Sequence, residues 1–385
     1  ARALENHTSI FLHNKFQTVW AVNRSCTISN KNVSIHRSLD YTIYDDFTFR
    51  RINRKKRILH YFHYRNLIRK NMSALTNLLS LESIGAKDHL FVPTLDWLLL
   101  SAINRLANKY QPDKWPTLHF ELMFEDARWM TGGYPYNKII KKLNRLQKKT
   151  NRIHVYTETY AHASHVSGLL SSPPHVYPYP ALPLKRNPQE NAGLDGGKIT
   201  IGILGGGRRD KGFELLPDIV EALNATNNGK LDISFLIQKP RHQENLENEV
   251  LRLKKQGNVF FMENEVSFAA YESNFLRCSI LLLPYTRIYR RRGSGVAIEA
   301  LANGIPIVCS RNTGLADVII RENGKEAEGT LEFSEALLDI STNIALYRSN
   351  ALEAKKFYLE KLFNNPVIRH IKKSEEKWEN RLDKI

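Results

Sequence analysis

One segment, from residue 278 to residue 317, constrains the fold of this chain more than any other. Its apolar run at 279–283 predicts a buried strand, a helix begins near Val296, and a second apolar run at 305–309 predicts another strand. A Gly-Ile-Pro turn separates the helix from the second strand. A strand, a helix and a strand in this order are typical of a parallel sheet with right-handed crossovers.

The loop before this helix has the properties of an anion-binding site. The first amides of a helix lack partners within the helix and carry a partial positive charge, which suits a phosphate. Gly293 and Gly295, on either side of Ser294, let the main chain approach a ligand closely because glycine has no Cβ atom. Glu299 lies about one turn further along, where its carboxylate can accept hydrogen bonds from paired sugar hydroxyls. The segment therefore predicts a nucleotide-sugar site, although an ordinary helix-to-strand loop would also use glycine and proline here.

A second glycine-rich segment follows the apolar run 199–204, which predicts another buried strand. Three glycines at 205–207 end this strand, and Arg208 and Lys211 precede a helix that begins near Phe213. Arginine offers a planar fork of donors and lysine a point charge, and such charge-assisted hydrogen bonds contribute roughly 1.5–3 kcal/mol each. Glycine and positive charge at this strand end favour a bound diphosphate.

A dinucleotide-binding turn is the competing interpretation of the glycine triplet. Its pattern, started at Gly205, requires a glycine where Asp210 stands. It also requires an acidic residue at the end of the next strand, and Gln238 follows the apolar run 233–237 instead. The sequence therefore disfavours a dehydrogenase.

In these segments the chain resembles the C-terminal half of the group 1 glycosyltransferases, a family with the GT-B fold. The family pattern has a Gly-containing loop, a Glu-Ala pair and a Gly-x-Pro turn, and this chain has them at 294–296, 299–300 and 304–306. The earlier pairs Gly207-Arg208 and Lys211-Gly212 match the family's Gly-Arg and Lys-Gly in order, with a short spacing. The resemblance is specific from about residue 198 to residue 320.

The resemblance implies an α/β protein of GT-B architecture, with two facing Rossmann-like domains and a C-terminal crossover helix. It implies an enzyme that transfers a hexosyl or deoxyhexosyl group from a nucleoside diphosphate sugar, without a further cofactor or a metal. Retention of the anomeric configuration is favoured, although Arg291 stands where many members carry a first glutamate. The residues expected at the donor are Gly207, Arg208, Lys211, Glu263, Arg291, Ser294, Gly295, Val296 and Glu299.

The sequence contains no comparably clear motif for the acceptor side of the reaction. A transferase needs a group that helps to remove the acceptor proton, and carboxylates near the end of a parallel strand can reach the cleft. The predicted strand 117–124 and its end supply Glu121, Glu125 and Asp126, which we expect to include the catalytic base. Glu158, after a later strand, is a further candidate. The histidines at 162, 165 and 175 lack the spacing of a metal site on one helix, and we expect no bound zinc.

The order of the predicted elements divides the chain into two domains. Strands and helices alternate within residues 1–180, except that the first 57 residues show no clear pattern. A linker rich in proline, glycine and asparagine occupies 181–197, and a second alternating domain spans 198–350. The helices of 351–385 are expected to break near Pro366 and to pack back on the first domain.

The net charge of +17 indicates an anionic partner. Basic residues concentrate at 50–57, 138–152 and 287–292. The second cluster carries an apolar stripe, so it is either a solvated helix packed on its own domain or an amphipathic helix on an anionic membrane surface. No nucleic-acid-binding module is recognisable, and we expect no nucleic acid as partner.

The expected partners are thus a nucleotide sugar and a glycan or lipid-linked acceptor, with an anionic membrane surface as a further partner if the basic helix is amphipathic rather than solvated. Three cysteines without metal spacing, and apolar runs too short to cross a bilayer, indicate a cytoplasmic protein, and the membrane-surface alternative would make it peripheral at the inner face of the membrane. We expect a role in cell-surface polysaccharide assembly. Two other classes stay open, a nucleotide-sugar epimerase of the same fold and a noncatalytic relative that binds a glycan or lipid.

Overall fold

The protein forms two compact units, residues 1–178 with 363–385, and residues 179–362. The structure, a computed structural model, describes residues 2–23, 31–39, 57–109, 111, 114–123, 136–177, 179–184, 197–241 and 244–382. Most of the predicted linker, the basic stretch at 51–56, Glu125 and Asp126 lie outside the described residues.

The first unit contains a four-stranded parallel sheet with the strand order β3-β4-β5-β6. A separate parallel pair, β1 and β2, comes from the region in which the sequence showed no clear pattern. The strands of this unit are β1 (Val19–Asn23), β2 (Ser34–Leu39), β3 (His89–Val92), β4 (Thr117–Leu122), β5 (Ile153–Thr157) and β6 (His175–Val176). Its helices are α1 (Arg2–His13), α2 (Arg57–Leu81), α3 (Trp97–Ala107), α4 (Tyr136–Gln147), α5 (Tyr160–Ser167) and, from the end of the chain, α12 (Pro366–Leu382).

The two faces of the four-stranded sheet differ in chemistry. Successive side chains of a strand alternate between the faces, so one face receives residues such as Leu118, Phe120 and Val155. These pack with α2, α3 and α4 in an apolar core. The opposite face carries histidine and tyrosine side chains, and His7 of α1 lies against it, with its ring 4.9 Å from that of Phe91. α12 lies against the same face through His370, discussed below.

Helix α4 buries the apolar stripe that the sequence analysis singled out. The stripe packs into the core of the first unit, with Leu143 fully buried, and therefore cannot insert into a bilayer from this position. Lys142 donates to Ser101 of α3 at 2.6 Å, which ties the basic side of the helix to its own unit. The buried residues of α4 are Tyr136, Ile139, Ile140, Leu143, Leu146 and Gln147.

The exposed basic side chains on and just after α4 can still attract an anionic surface. We expect the triple reversal Lys141→Glu, Arg145→Glu and Lys148→Glu to reduce cosedimentation with anionic liposomes, because each basic residue near the surface contributes about 1 kcal/mol. A matched reversal of Lys230, Lys254 and Lys255 in the second unit controls for net charge. Equal liposome binding by both triple variants would show that the basic residues of α4 form a solvated surface with no specific role in membrane binding.

The second unit contains a six-stranded parallel sheet with the order β12-β11-β10-β7-β8-β9. Its strands are β7 (Ile199–Ile203), β8 (Ile233–Gln238), β9 (Val259–Met262), β10 (Ile280–Leu283), β11 (Ile307–Ser310) and β12 (Gly324–Ala327). Its helices are α6 (Leu216–Asn227), α7 (Glu247–Lys254), α8 (Phe268–Leu276), α9 (Gly295–Asn303), α10 (Gly329–Thr342) and α11 (Ile344–Phe363). The apolar runs of the sequence predicted β7, β8, β10 and β11 of this sheet.

The predicted break at the C-terminal end is confirmed, because α11 ends at Phe363 and α12 begins at Pro366. The side chain of Asn365 accepts hydrogen bonds from the amides of Val367 and Ile368, at 2.8 and 3.1 Å. Asparagine before proline at the first helical position is a favoured helix start. The break also coincides with the change of unit, since residues from 363 onward belong to the first unit. No helix among the described residues is both long and apolar enough to cross a membrane.

Candidate functional site

The strand order of the second unit creates a switch point between β7 and β10. From β7 the chain proceeds outward through β8 and β9, and then returns to the other side of β7 with β10. Loops at the carboxyl ends of two such strands diverge and leave a crevice between them, which is where ligands of open α/β sheets bind. The two segments that the sequence analysis singled out follow these two strands.

The glycine loop after β7 is held open by a glutamine. Gly205 and Gly206 have positive φ angles of 94° and 82°, which glycine adopts without strain. Both amides donate to Oε1 of Gln238 at the end of β8, at 2.8 and 2.6 Å. Nε2 of the same glutamine donates to the carbonyl of Asn264 at 2.8 Å. Gln238 therefore connects the ends of three strands, a role that the sequence analysis did not assign to it.

We expect Gln238→Ala to weaken nucleotide-sugar binding by up to about thirtyfold, because two loop amides lose their acceptor at a cost of about 1 kcal/mol each. The measurement is calorimetric titration of the donor. Gln256→Ala is the control. Gln256 precedes β9, and its side chain accepts a hydrogen bond from Asn224 at the amino-terminal ends of the strands, away from the glycine loop at their carboxyl ends. A dissociation constant unchanged by Gln238→Ala would show that the loop does not depend on the glutamine.

Arg208 follows the glycine loop and is oriented by two neighbours. Its Nε and Nη2 atoms donate to the carboxylate of Asp210 at 2.9 and 3.0 Å, and Nη2 also donates to the hydroxyl of Tyr289 at 2.8 Å. The side chain is 41% exposed. A guanidinium held in this way presents its Nη1 edge to a ligand, so Asp210 positions the arginine in addition to neutralising part of its charge.

Lys211 is more deeply placed than Arg208. Its ammonium donates to the carbonyl of Gly205 at 2.5 Å and lies 5.3 Å from the centre of the Tyr285 ring. Burial lowers the pKa of Lys211, because it removes water from the charged ammonium. An anionic ligand beside it would restore the stability of the charged form. The neighbouring Gly212 has φ of 71°, and a Cβ atom there would lie 1.8 Å from the carbonyl oxygen of Pro284, so the two loops touch at this glycine.

The start of α9 lies against these groups. Ser294 is the N-cap, and its hydroxyl accepts from the amide of Ala297 at 3.5 Å and donates to Tyr285 at 3.4 Å. Val296 packs closely on Gly205: a Cβ atom added to Gly205 would lie 2.7 Å from a methyl group of Val296. The helix N-terminus, Lys211 and the glycine loop are therefore adjacent. This is the arrangement that the sequence predicted for a diphosphate.

Glu299 lies one turn into α9 and is 8% exposed. The hydroxyl of Tyr271, on α8, donates to its Oε2 atom at 2.7 Å. The charge of Glu299 acts on Lys211 and on Tyr285, which places the carboxylate near the predicted diphosphate site. Burial raises the pKa of Tyr285 to about 12, so this phenol stays neutral beside the two charged groups.

Two other predicted donor residues lie at the margin of this group. Glu263 follows β9, its side chain is 70% exposed, and it pairs with Lys239 at the end of β8. Arg291 lies half-buried in the loop between β10 and α9. The structure therefore brings together Gly207, Arg208, Lys211, Ser294, Gly295, Val296 and Glu299. Glu263 follows β9, which β7 and β8 separate from β10.

The candidate bases lie in the first unit. Glu121 is fully buried on β4, and no described group donates a hydrogen bond to either of its carboxylate oxygens. Burial, and then the nearby charge of Glu158, raise the pKa of Glu121 well above its ordinary value, which favours the neutral carboxyl. A general base must reach the proton that it removes, and a side chain with no exposed surface is poorly placed to do so. The placement therefore argues against Glu121, whereas Glu125 and Asp126 lie outside the described residues and stay predictions.

A family model matches one segment of this chain in sequence, and solved structures match its fold over nearly its whole length. Residues 198–343 match the family model described as Glycosyl transferases group 1. Sucrose-phosphate synthase from Thermosynechococcus elongatus superposes with a TM-score of 0.62 at 12% identity, covering 98% of this chain and 92% of that one. The α,α-trehalose 6-phosphate synthase from Burkholderia multivorans gives 0.61 at 14% identity, covering 98% and 94%. A trehalose-6-phosphate structure from E. coli, bound with UDP-2-fluoro glucose, gives 0.61 at 16% identity, covering 100% and 96%.

At these identities the matched structures establish the fold and nothing further. The predicted α/β class with two parallel sheets is confirmed, and its architecture is GT-B-like. No curated protein matches the sequence of this chain.

Proposed function

We propose that this chain, whose residues 198–343 form a group 1 glycosyl transferase domain, transfers a hexosyl or deoxyhexosyl group from a nucleoside diphosphate sugar to a glycan or lipid-linked acceptor. The proposed setting is cell-surface polysaccharide assembly on the cytoplasmic side of the membrane. The buried free thiols of Cys278 and Cys309 are compatible with a reducing compartment. Retention of configuration is part of the proposal.

The observation that carries the proposal is the adjacency of Lys211, the N-terminus of α9 and Glu299 at the switch point. A diphosphate needs positive charge and amide donors, and a sugar or ribose needs an acceptor for its hydroxyls. The three features supply these in one place, within the segment that matches the family model. A structure of similar fold was determined with UDP-2-fluoro glucose bound, which supports a nucleotide sugar as the donor.

The proposed mechanism is electrostatic on the donor side. Negative charge develops on the diphosphate as its bond to the sugar breaks, and Arg208, Lys211 and the first amides of α9 would stabilise that charge. These groups are fixed before the reaction by Asp210, the carbonyl of Gly205 and the Ser294 cap. Glu299 would hold hydroxyls of the donor and so orient it. We propose that the base lies at Glu125 or Asp126.

A screen of nucleoside diphosphates and nucleotide sugars by calorimetry tests donor binding, and incubation with labelled donor and a glycan or lipid-linked acceptor tests transfer. We expect one nucleotide family to bind and its sugar to appear on an acceptor. Interconversion of the nucleotide sugar without an acceptor would select the epimerase instead. Binding without any turnover would select a noncatalytic relative, and the absence of any nucleotide binding would contradict the proposal.

A further inference from the structure

Five histidines of the first unit share one region, although they are dispersed in the sequence. In the register of the sheet, His119 on β4 lies opposite His154 on β5, and Tyr156 on β5 lies opposite His175 on β6. His89 on β3 lies opposite Thr117, two residues before His119. Because neighbouring residues of a parallel sheet in register point to the same side, these side chains share one face.

Helix α12 adds a histidine above this face. The ring of His370 stacks on that of His154, with centroids 4.0 Å apart and planes inclined by 18°. It also meets the ring of His175 at 4.7 Å, edge to face. One ring nitrogen from each of these three histidines lies within 4.8 Å of the corresponding nitrogens of the other two. All three side chains are half-buried, so an ion can reach them from solvent.

We propose that His154, His175 and His370 bind a divalent transition-metal ion, with Zn²⁺ as the first candidate, and that the ion fastens α12 to the four-stranded sheet. Imidazole nitrogens suit zinc, copper and nickel, whereas magnesium and calcium prefer oxygen ligands. Three histidines leave a fourth tetrahedral position for water. Two nitrogens on a tetrahedral zinc ion are roughly 3.3 Å apart, so the ligand nitrogens would approach one another by up to about 1.5 Å on binding. An imidazole nitrogen donates in the plane of its ring, so the ring of His154 would also rotate out of its stack on His370.

A hydrogen-bonded chain orients the proposed ligand on α12. The hydroxyl of Tyr156 contacts Nδ1 of His370 at 2.8 Å and Nδ1 of His119 at 2.8 Å, and Nε2 of His119 contacts His89 at 2.9 Å. Metal-binding histidines commonly use their second ring nitrogen in such a bond, which fixes the tautomer and the plane of the ring. When Nδ1 of His370 donates to Tyr156, Nε2 offers its lone pair to the ion.

Neighbouring positive charge limits the affinity that we expect of the proposed site. Arg369 and Lys373 lie near His370 and oppose a cation, so we expect micromolar rather than nanomolar affinity.

The cluster leaves no pattern in the sequence, because its members lie on three separate elements, β5, β6 and α12. Of the histidines considered there, His162 and His165 lie on α5, and the hydroxyl of Tyr136 contacts Nε2 of His162 at 2.5 Å. Only His175 of that set belongs to the cluster. The expectation of no bound zinc, which rested on spacing along one helix, is therefore replaced by this proposal.

The test uses the full chain without a polyhistidine tag, stripped with a chelator and titrated with Zn²⁺ in competition with a chromophoric indicator. We expect one ion per chain, and a rise in the melting temperature of at least about 3 °C at saturating zinc. Co²⁺ in place of zinc should give the visible absorption of a tetrahedral site.

His154→Ala and His370→Ala should each weaken zinc binding by at least about tenfold and remove the thermal shift. His165→Ala, a histidine of α5 outside the cluster, should leave both unchanged. Circular dichroism of the metal-free variants establishes that they are folded. No stoichiometric binding, or binding indifferent to His154→Ala and His370→Ala, would overturn the site, and binding without a thermal shift would overturn the fastening role. Transfer activity is not a readout here, so the result is independent of the proposed function.

Discussion

The double variant Arg208→Ala, Lys211→Ala is expected to lose transfer activity by about 10²- to 10⁴-fold while remaining folded. Each cation can contribute roughly 1.5–3 kcal/mol through charge-assisted hydrogen bonds to the leaving diphosphate, and about 1.4 kcal/mol corresponds to tenfold in rate. The two side chains act on the same developing charge, so their effects need not add. The measurement is the initial rate of sugar transfer, or of donor hydrolysis until the acceptor is known.

The control for this variant must remove the same charge elsewhere. Arg209→Ala with Lys230→Ala does so: Arg209 pairs with Glu214 at the surface, and Lys230 follows α6. We expect normal activity from this control. The melting temperature of the active-site variant should fall by only a few degrees, because the lost bonds belong to loops rather than to the core. A folded Arg208→Ala, Lys211→Ala variant with full activity would show that the diphosphate is bound elsewhere.

Local signals allowed much of the second unit to be predicted from the sequence. The strands β7, β8 and β10 are short apolar runs bounded by glycine or polar residues, and the structure has them within one residue of their predicted bounds. β12 (Gly324–Ala327) was missed because a glycine, a lysine and a glutamate at the edge of the sheet give no apolar run. Edge strands are only partly buried, so their sequences carry a weaker signal.

The candidate site likewise contains residues that a local sequence pattern predicts and residues that it does not. Ser294, Gly295 and Glu299 are close in sequence, so the helix period alone placed them together. Gln238 and Tyr271 reach the site from other elements, and no local pattern distinguishes them from ordinary polar residues. The histidine cluster of the first unit is the extreme case, since its parts meet only through the sheet register and the return of the C-terminal helix.

Replacing Glu299 by glutamine is expected to weaken nucleotide-sugar binding by about ten- to a hundredfold. Glutamine keeps the size of the side chain and an oxygen that can accept from Tyr271, but it removes the negative charge that strengthens hydrogen bonds to sugar hydroxyls. A hydrogen bond to a charged group is worth roughly 1.5–3 kcal/mol, which is about tenfold to somewhat over a hundredfold in affinity. Calorimetric titration of the donor measures the change directly.

Tyr271→Phe separates the two roles that Glu299 has in the structure. This variant removes the 2.7 Å hydrogen bond to Glu299 but leaves the carboxylate in place. If Glu299 binds the donor, Tyr271→Phe should cost severalfold in affinity at most, and Glu299→Gln should cost much more. If the carboxylate serves only to hold α8 against α9, both variants should lower the melting temperature and neither should change donor affinity. That second pattern would remove Glu299 from the site, and the diol of the donor would then need another acceptor in the second unit.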